Sequence, residues 1–123
     1  MVDISAEELE AYREGFRRRQ AEAQAARERL RERAWRVARR AAAHLRERFG
    51  ARRVVLFGSL ARGDPFDEHS DVDLAVWGVD EWDYLRAISH LLDLDPLISV
   101  DLIRAEEAPP SLMAVIEEEG IEL

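Results

Sequence analysis

The clearest structural signals in this chain come from three short stretches: residues 56–63 (LFGSLARG), residues 70–74 (SDVDL) and residues 100–102 (VDL). The first stretch ends an apolar run of the kind found in a buried strand and continues into a Gly-Ser turn. The other two alternate apolar and polar residues, which is typical of strands. The sequence therefore predicts three strands, one ending in a glycine turn and two carrying aspartates.

The aspartates of the second and third strands predict a metal site. Alternate side chains of a strand share a face, so Asp71 and Asp73 project together. Two carboxylates about 4 Å apart repel by about 1 kcal/mol in water and about 4 kcal/mol at an effective dielectric of 20, and a bound cation reverses that sign. Mg²⁺ is commonly held by one or two carboxylates with phosphates and water. Asp101, in a neighbouring strand, would add a second metal position.

The Gly-Ser turn predicts an anion site beside those carboxylates. Gly58 lets the backbone come close to phosphate oxygens, and the N–H groups that open a short helix would point at them. Ser59 adds a hydroxyl donor. Arg62 is one of only three arginines after residue 53, which indicates a contact with phosphate or with leaving pyrophosphate. We therefore expect Gly58, Ser59 and Arg62 to bind a nucleotide.

Each of these features alone has an ordinary explanation. Gly-Ser occurs in many turns, and Asp-x-Asp at a strand end is often a solvated edge or a cap. Asp101 is less ordinary, because acids inside apolar strands are rare unless they are paired or metal-bound. The specificity of the pattern comes from the combination.

The histidines and tryptophans are weaker candidates. His44, His69 and His90 have no metal-ligand spacing, although His69 lies close enough to Asp71 to contact a nucleotide. Trp77 shares a face with Asp71 and Asp73, so it would either stack on a base or pack as a rim aromatic.

Taken together, the three stretches resemble the minimal nucleotidyltransferases of the DNA polymerase beta superfamily, over residues 34–123. The resemblance implies an α/β fold in which Gly58 and Ser59 hold a nucleoside triphosphate. It also implies that Asp71 and Asp73 bind two Mg²⁺ ions, while Asp101 binds one of them and helps to deprotonate the attacking hydroxyl. The implied reaction transfers a nucleoside monophosphate, AMP if the donor is ATP, with release of pyrophosphate.

The resemblance also implies a partner. Small members of this family are often paired with a helical HEPN protein and act as its antitoxin, some by adenylylating it. An alternative therefore stays open, in which the chain binds a HEPN-type partner as a non-catalytic antitoxin or scaffold. About 90 matching residues leave little room for an acceptor-binding domain, so a partner would have to supply the acceptor.

The N-terminal third of the chain predicts one long helix. From Ser5 to Phe49 the residues are good helix formers, Ser5 and Glu8 have the spacing of a capping box, and Gly50 is placed to end the helix. Its second half carries a long apolar stripe, whereas the first half has only a small apolar face near its start, formed by Leu9, Tyr12 and Phe16. We therefore expect residues 1–33 to project as a helical extension and residues 34–123 to form the nucleotidyltransferase domain.

The rest of the chain completes an α/β fold with a small mixed sheet of three or four strands covered by helices. A helix is predicted over residues 81–92 from its apolar face. Ser111 is placed to cap a last helix that ends near Gly120, followed by an edge strand over residues 121–123.

Composition limits the class of protein. The 123 residues are 47% hydrophobic, enough for one core, and without cysteine they exclude disulfides, thiolate zinc sites and cysteine nucleophiles. A reducing cytoplasm fits, and no export signal or membrane span is expected.

Charge is divided unevenly along the chain. Residues 1–53 hold 15 arginines and 9 acids, whereas residues 54–123 hold 3 arginines and 17 acids. So acidic a catalytic half favours cations and argues against direct binding of nucleic acid. The arginine-rich helix interleaves Glu with Arg, as in a solvated face, and self-association through it is a further expectation.

Overall fold

The long first helix forms as predicted. In the computed structural model, which describes residues 3–123, helix α1 spans Ala6–Phe49. The hydroxyl of Ser5 caps it by accepting a hydrogen bond from the Glu8 N–H at 3.1 Å. Gly50 ends it in the left-handed conformation, with φ of 72°. The capping signals thus mark both ends of the helix.

The two halves of α1 have different surroundings. Its buried residues all lie in the second half and form a single stripe: Ala34, Val37, Ala38, Ala41, Ala42 and Leu45. Residues 16–29 are exposed throughout. The polar composition of the first half explains the difference, because Arg, Glu, Gln and Ala offer little apolar surface to bury.

The remaining elements alternate between strands and helices. In chain order they are β1 (Arg53–Phe57), α2 (Ser59–Arg62), β2 (Asp71–Trp77), α3 (Glu81–Leu92), β3 (Ser99–Arg104), a 3-10 turn (Ala105–Glu107), α4 (Pro110–Glu119) and β4 (Ile121–Glu122). The strands form one mixed sheet in the order β3-β2-β1-β4. β2 is antiparallel to β1 and parallel to β3, and β4 is antiparallel to β1. The prediction of a small mixed sheet is confirmed.

The sheet is covered on both faces. On one face, strand residues such as Leu56, Leu74 and Leu102 pack with the stripe of α1 and with α3 in the main core. On the other face, Val55 and Ala75 pack with Ile116 of α4 in a smaller cluster. The first half of α1 adds nothing to these buried cores.

The start of α4 differs from the sequence expectation. The sequence predicts Ser111 as the cap, but the cap is Pro109 and Pro110 is the first helical residue. Proline suits that position, because the first turn has N–H groups without helical partners and the fixed φ of proline is already helical. None of the helices within residues 3–123 has both the length and the apolar character needed to cross a membrane.

Candidate functional site

The strand register brings the three aspartates together. In the parallel pair β2–β3, Asp73 lies opposite Asp101, on strands about 5 Å apart. Because side chains alternate along a strand, Asp71, Asp73 and Asp101 all project from the face that carries Ala75 and Ile103. The two neighbouring strands therefore present their carboxylates on one side of the sheet, as the sequence predicts.

The Gly-Ser turn lies directly against Asp73. Phe57, the last residue of β1, is paired with Asp73, so the chain enters the turn beside that carboxylate. Gly58 has a φ of 80°, and a β-carbon built on it would overlap the Asp73 carboxylate. Both the backbone conformation and the close approach require glycine at this position. The turn and the first carboxylate pair are thus one contiguous site.

Asp73 is the electrostatically perturbed member of the three aspartates. Burial, and then the neighbouring charges of Asp101 and Asp71, raise its pKa from 3.8 to about 6, while Arg62 opposes them. Asp71 and Asp101 are exposed, whereas Asp73 is partly buried. Arg62 only partly offsets this repulsion among the carboxylates, and a divalent ion would relieve the rest.

The carboxylate oxygens of these aspartates are the kind of ligand that a divalent ion binds, but the side chains do not form a complete set of ligands. Mg²⁺ prefers carboxylate, phosphate and water oxygens, and the two exposed aspartates have room to turn toward an ion. Among residues 3–123, no group of three or more His, Asp or Glu side chains has the arrangement of a metal site. Substrate phosphates would therefore have to supply part of the shell.

A four-residue helix follows the turn. In α2 the buried side chain is Leu60, which anchors the helix in the core beside β1 and β2. Ser59 is partly buried at its first position, and the Arg62 N–H donates to the Gly58 carbonyl at 3.0 Å. Packing of Leu60 therefore fixes Gly58, Ser59 and Arg62 relative to the sheet.

Arg62 is already engaged by two carboxylates. Its Nε donates to Oδ2 of Asp64 at 2.8 Å and its Nη1 to Oε1 of Glu119 at 3.0 Å. The same Glu119 oxygen accepts a hydrogen bond from the Gly58 N–H at 3.3 Å. Sequence reasoning missed Glu119, because it lies 61 residues from Gly58 and no motif connects them.

The aromatic candidates lie in different settings. Trp77 is on the predicted face but packs against the Val55 cluster, with the Arg53 guanidinium 4.3 Å from its ring centroid. His69 is exposed in the loop before β2. A tyrosine is more closely connected with the carboxylates, since the Tyr84 hydroxyl donates to the carbonyl of Leu102, next to Asp101, at 2.7 Å.

The other two histidines form a pair that the sequence did not predict. Nδ1 of His44 in α1 lies 2.6 Å from Nε2 of His90 in α3, on the opposite side of the sheet from the aspartates. Burial and the neighbouring His90 lower the pKa of His44. The pair fastens α3 to α1 and takes no part in the candidate site.

Known structures resemble this chain over most of its length. The structure of a minimal nucleotidyltransferase is 36% identical, covers 78% of this chain and 94% of its own, and has a TM-score of 0.57. A toxin–antitoxin structure with AMP-PNP shares the fold at 24% identity, covering 69% of this chain and 70% of its own, with a TM-score of 0.58.

A second complex shares the fold as well. It holds a tri-AMPylated HEPN toxin of Shewanella oneidensis with its MNT antitoxin, at 22% identity, covering 72% of this chain and 70% of its own, with a TM-score of 0.54. No curated protein is similar enough in sequence to count as a relative.

Sequence similarity agrees with the fold and with the position of the turn and the carboxylates. The family model described as polymerase beta, nucleotidyltransferase, matches residues 41–123, which include all four strands and every candidate site residue. This chain therefore belongs to the polymerase beta nucleotidyltransferase family.

Proposed function

We propose that this protein transfers AMP from ATP to a hydroxyl group of a HEPN-type partner protein and releases pyrophosphate. Membership of a nucleotidyltransferase family supports the transfer of a nucleoside monophosphate. The AMP-PNP complex and the AMPylated toxin among the similar structures support adenine as the base and a protein as the acceptor. The observation that carries the proposal is the register of Asp73 with Asp101 beside the Gly58 turn.

In this proposal every site residue has a role, and Asp101 has two. The Gly58 N–H, the Ser59 hydroxyl and Arg62 bind the triphosphate, and Asp71, Asp73 and Asp101 would hold Mg²⁺, two ions when the nucleotide is bound. The metal would neutralise charge on the transferring phosphoryl group and align the two oxygens of the displacement. Asp101 accepts the proton of the attacking hydroxyl, which forms its bond to the α-phosphorus as the bond to pyrophosphate breaks.

The course of α1 supports a partner as the source of the acceptor. Arg31 of α1 donates to the carbonyl of Asp64 at 3.1 Å, two residues after Arg62. A cleft of about 260 Å³ lies between α1 and this loop, and Gln24 is among its lining residues. The exposed first half of α1 therefore leaves the domain close to the triphosphate-binding residues. A protein bound to it would lie beside the site.

Exposed apolar side chains at the start of α1 support the same role for this helix. Leu9, Tyr12 and Phe16 follow one another at helical spacing and are 37%, 66% and 48% exposed. We propose that this apolar face binds the HEPN-type partner. Self-association of two copies through the same face is the competing use, and light scattering of the isolated protein would reveal it as a dimer.

Labelled ATP tests the proposed reaction. The protein is incubated with Mg²⁺, ATP labelled at the α-phosphate and a candidate HEPN-type partner protein, and label on the partner is measured after denaturing electrophoresis. The native chain is expected to label the partner, and Asp73→Asn to reduce labelling by about 100-fold or more, because even residues that only hydrogen-bond to a metal ligand contribute about 10–100-fold. Asp93→Asn, an exposed aspartate at the end of α3, is the matched control.

Two outcomes would contradict the proposal. Full labelling of the partner by Asp73→Asn would show that the reaction does not require this carboxylate. A stable complex that never acquires label would support the alternative, in which the chain is a non-catalytic antitoxin that acts by binding its partner.

A further inference from the structure

Glu119, the last residue of α4, makes two contacts at the candidate site that the proposed reaction does not use. Its Oε1 accepts hydrogen bonds from the Gly58 N–H at 3.3 Å and from Nη1 of Arg62 at 3.0 Å. These are two of the donors assigned above to the triphosphate. The Glu119 side chain is only 22% exposed, so it is held in this position rather than free in solvent.

The end of α4 is pressed against the sheet, which explains why Glu119 reaches the turn. A β-carbon added to Gly120 would collide with the Ile116 carbonyl oxygen and with the Val55 side chain. Glycine therefore allows the end of α4 to lie directly on β1. Glu119, one residue earlier, is then carried over Gly58 at the end of the same strand.

A carboxylate and a phosphate compete for the same kind of donor. Both accept charge-assisted hydrogen bonds from guanidinium and backbone N–H groups. The Gly58 N–H and the Arg62 guanidinium both already donate to one Glu119 oxygen. A triphosphate that approaches these two donors therefore finds a negatively charged carboxylate where its own oxygens would bind. Asp64, bound to Nε of Arg62 at 2.8 Å, leaves that guanidinium little unshared charge.

We propose that Glu119 is an internal competitor for the triphosphate, and that the nucleotide binds by displacing its carboxylate from Gly58 and Arg62. The inference rests on the proposed function for the identity of the ligand, a nucleoside triphosphate. It adds that affinity for the nucleotide is set partly by a residue outside the sequence motif. A position in α4 would thus control how readily the site is filled.

Binding of inorganic tripolyphosphate tests this directly, because it requires neither a base nor an acceptor. Dissociation constants are measured by calorimetry with Mg²⁺ for the full chain, for Glu119→Gln and for Glu118→Gln. Glu118 is its exposed neighbour in α4 and gives the same change in net charge. We expect Glu119→Gln to bind about tenfold more tightly than Glu118→Gln, since removing one adjacent like charge is worth about that factor. Glu119→Asp, with a shorter reach, is expected to lie between them.

Equal or weaker binding by Glu119→Gln, relative to the Glu118→Gln control, would overturn the proposal and indicate that Glu119 only supports the turn. Absence of tripolyphosphate binding in all variants would also overturn it. Thermal unfolding of each variant shows whether a weaker affinity reflects loss of the fold. Tighter binding by Glu119→Gln in a protein that transfers no label would uphold this inference while rejecting the proposed function.

Discussion

The carboxylate of Asp73 is placed between two opposing requirements. An ion site requires it to be accessible, whereas packing of the fold partly buries it. Its carboxylate touches Gly58 on one side and faces Asp101 across the parallel pair on the other. Burial and the two neighbouring aspartates raise its pKa to about 6, so at neutral pH it is mostly ionised in an environment that disfavours its charge. Such a residue lowers the stability of the fold as long as its charge is not neutralised.

The sign of this effect gives a prediction for Asp73→Asn. The carboxyl titrates near 3.8 when unfolded and near 6 when folded, so its penalty is absent below pH 4 and complete above pH 6. The full difference corresponds to about 2–3 kcal/mol, an upper bound for a partly buried group. Without Mg²⁺, we expect Asp73→Asn to have a higher free energy of unfolding than the native chain at pH 7, with the difference vanishing near pH 4.

Denaturant titrations at several pH values measure this difference, and Asp93→Asn serves as the control because its carboxylate is exposed. A native chain as stable as Asp73→Asn throughout the range would show that the carboxylate is not strained by its surroundings.

The elements differ in how much of them the sequence predicts. The bounds of α1 follow from Ser5, Glu8 and Gly50, because capping chemistry is local and independent of the rest of the fold. The shared face of Asp71 and Asp73 follows from strand periodicity alone. Local rules thus predict the helix ends, the carboxylate pair and a metal position at Asp101, and resemblance to a family adds the expected role of Asp101 as a base.

Contacts between distant segments could not be predicted in the same way. The hydrogen bonds of Glu119 depend on how α4 lies on β1, and the His44–His90 pair depends on how α3 lies on α1. Both are set by packing of side chains far apart in sequence. The predicted cap of α4, Ser111, is two residues after the actual cap, Pro109, because either proline or serine satisfies the local rules for a helix start.

The first half of α1 should be dispensable for the stability of the sheet domain. Residues 16–29 are exposed and contribute nothing to the buried core of the described chain. Deleting residues 1–20 is expected to change the free energy of unfolding by less than about 0.5 kcal/mol, as for other surface changes. Leu45→Ala, in the buried stripe of the same helix, is expected to cost about 2–5 kcal/mol.

Urea denaturation of the two variants compares these effects. Destabilisation of the truncated chain by more than about 1 kcal/mol would show that the exposed half of α1 supports the core after all.

The whole molecule carries a charge distribution that should make it responsive to divalent cations. The net charge of the chain is -8, and residues 54–123 hold 17 acids against 3 arginines. Any salt screens the repulsion among these charges, so this general effect must be separated from specific binding of a divalent ion. A specific ion bound only by the folded chain raises stability by about 1.4 kcal/mol at ten times its dissociation constant. Such a gain raises the unfolding temperature of a domain of this size by a few degrees.

We expect Mg²⁺ to raise the unfolding temperature by a few degrees more than NaCl at equal ionic strength, because screening alone acts in both salts. Asp101→Asn should remove this excess and Asp93→Asn should keep it, as measured by calorimetric scans at pH 7.5. An excess that survives in Asp101→Asn would assign the effect to the acidic surface in general.

Because α1 is one continuous helix, it also fixes the distance between its exposed start and the aspartates. About 18 residues before Gln24, in continuous helix with the segment packed on the sheet, reach about 27 Å from the domain. A partner that binds the start of α1 is held at a fixed distance from the aspartates and in a fixed direction, because no proline interrupts the helix. In the proposed reaction, the length of this helix would then select one hydroxyl among many on the surface of the partner. A pocket shaped to the acceptor would hardly be needed.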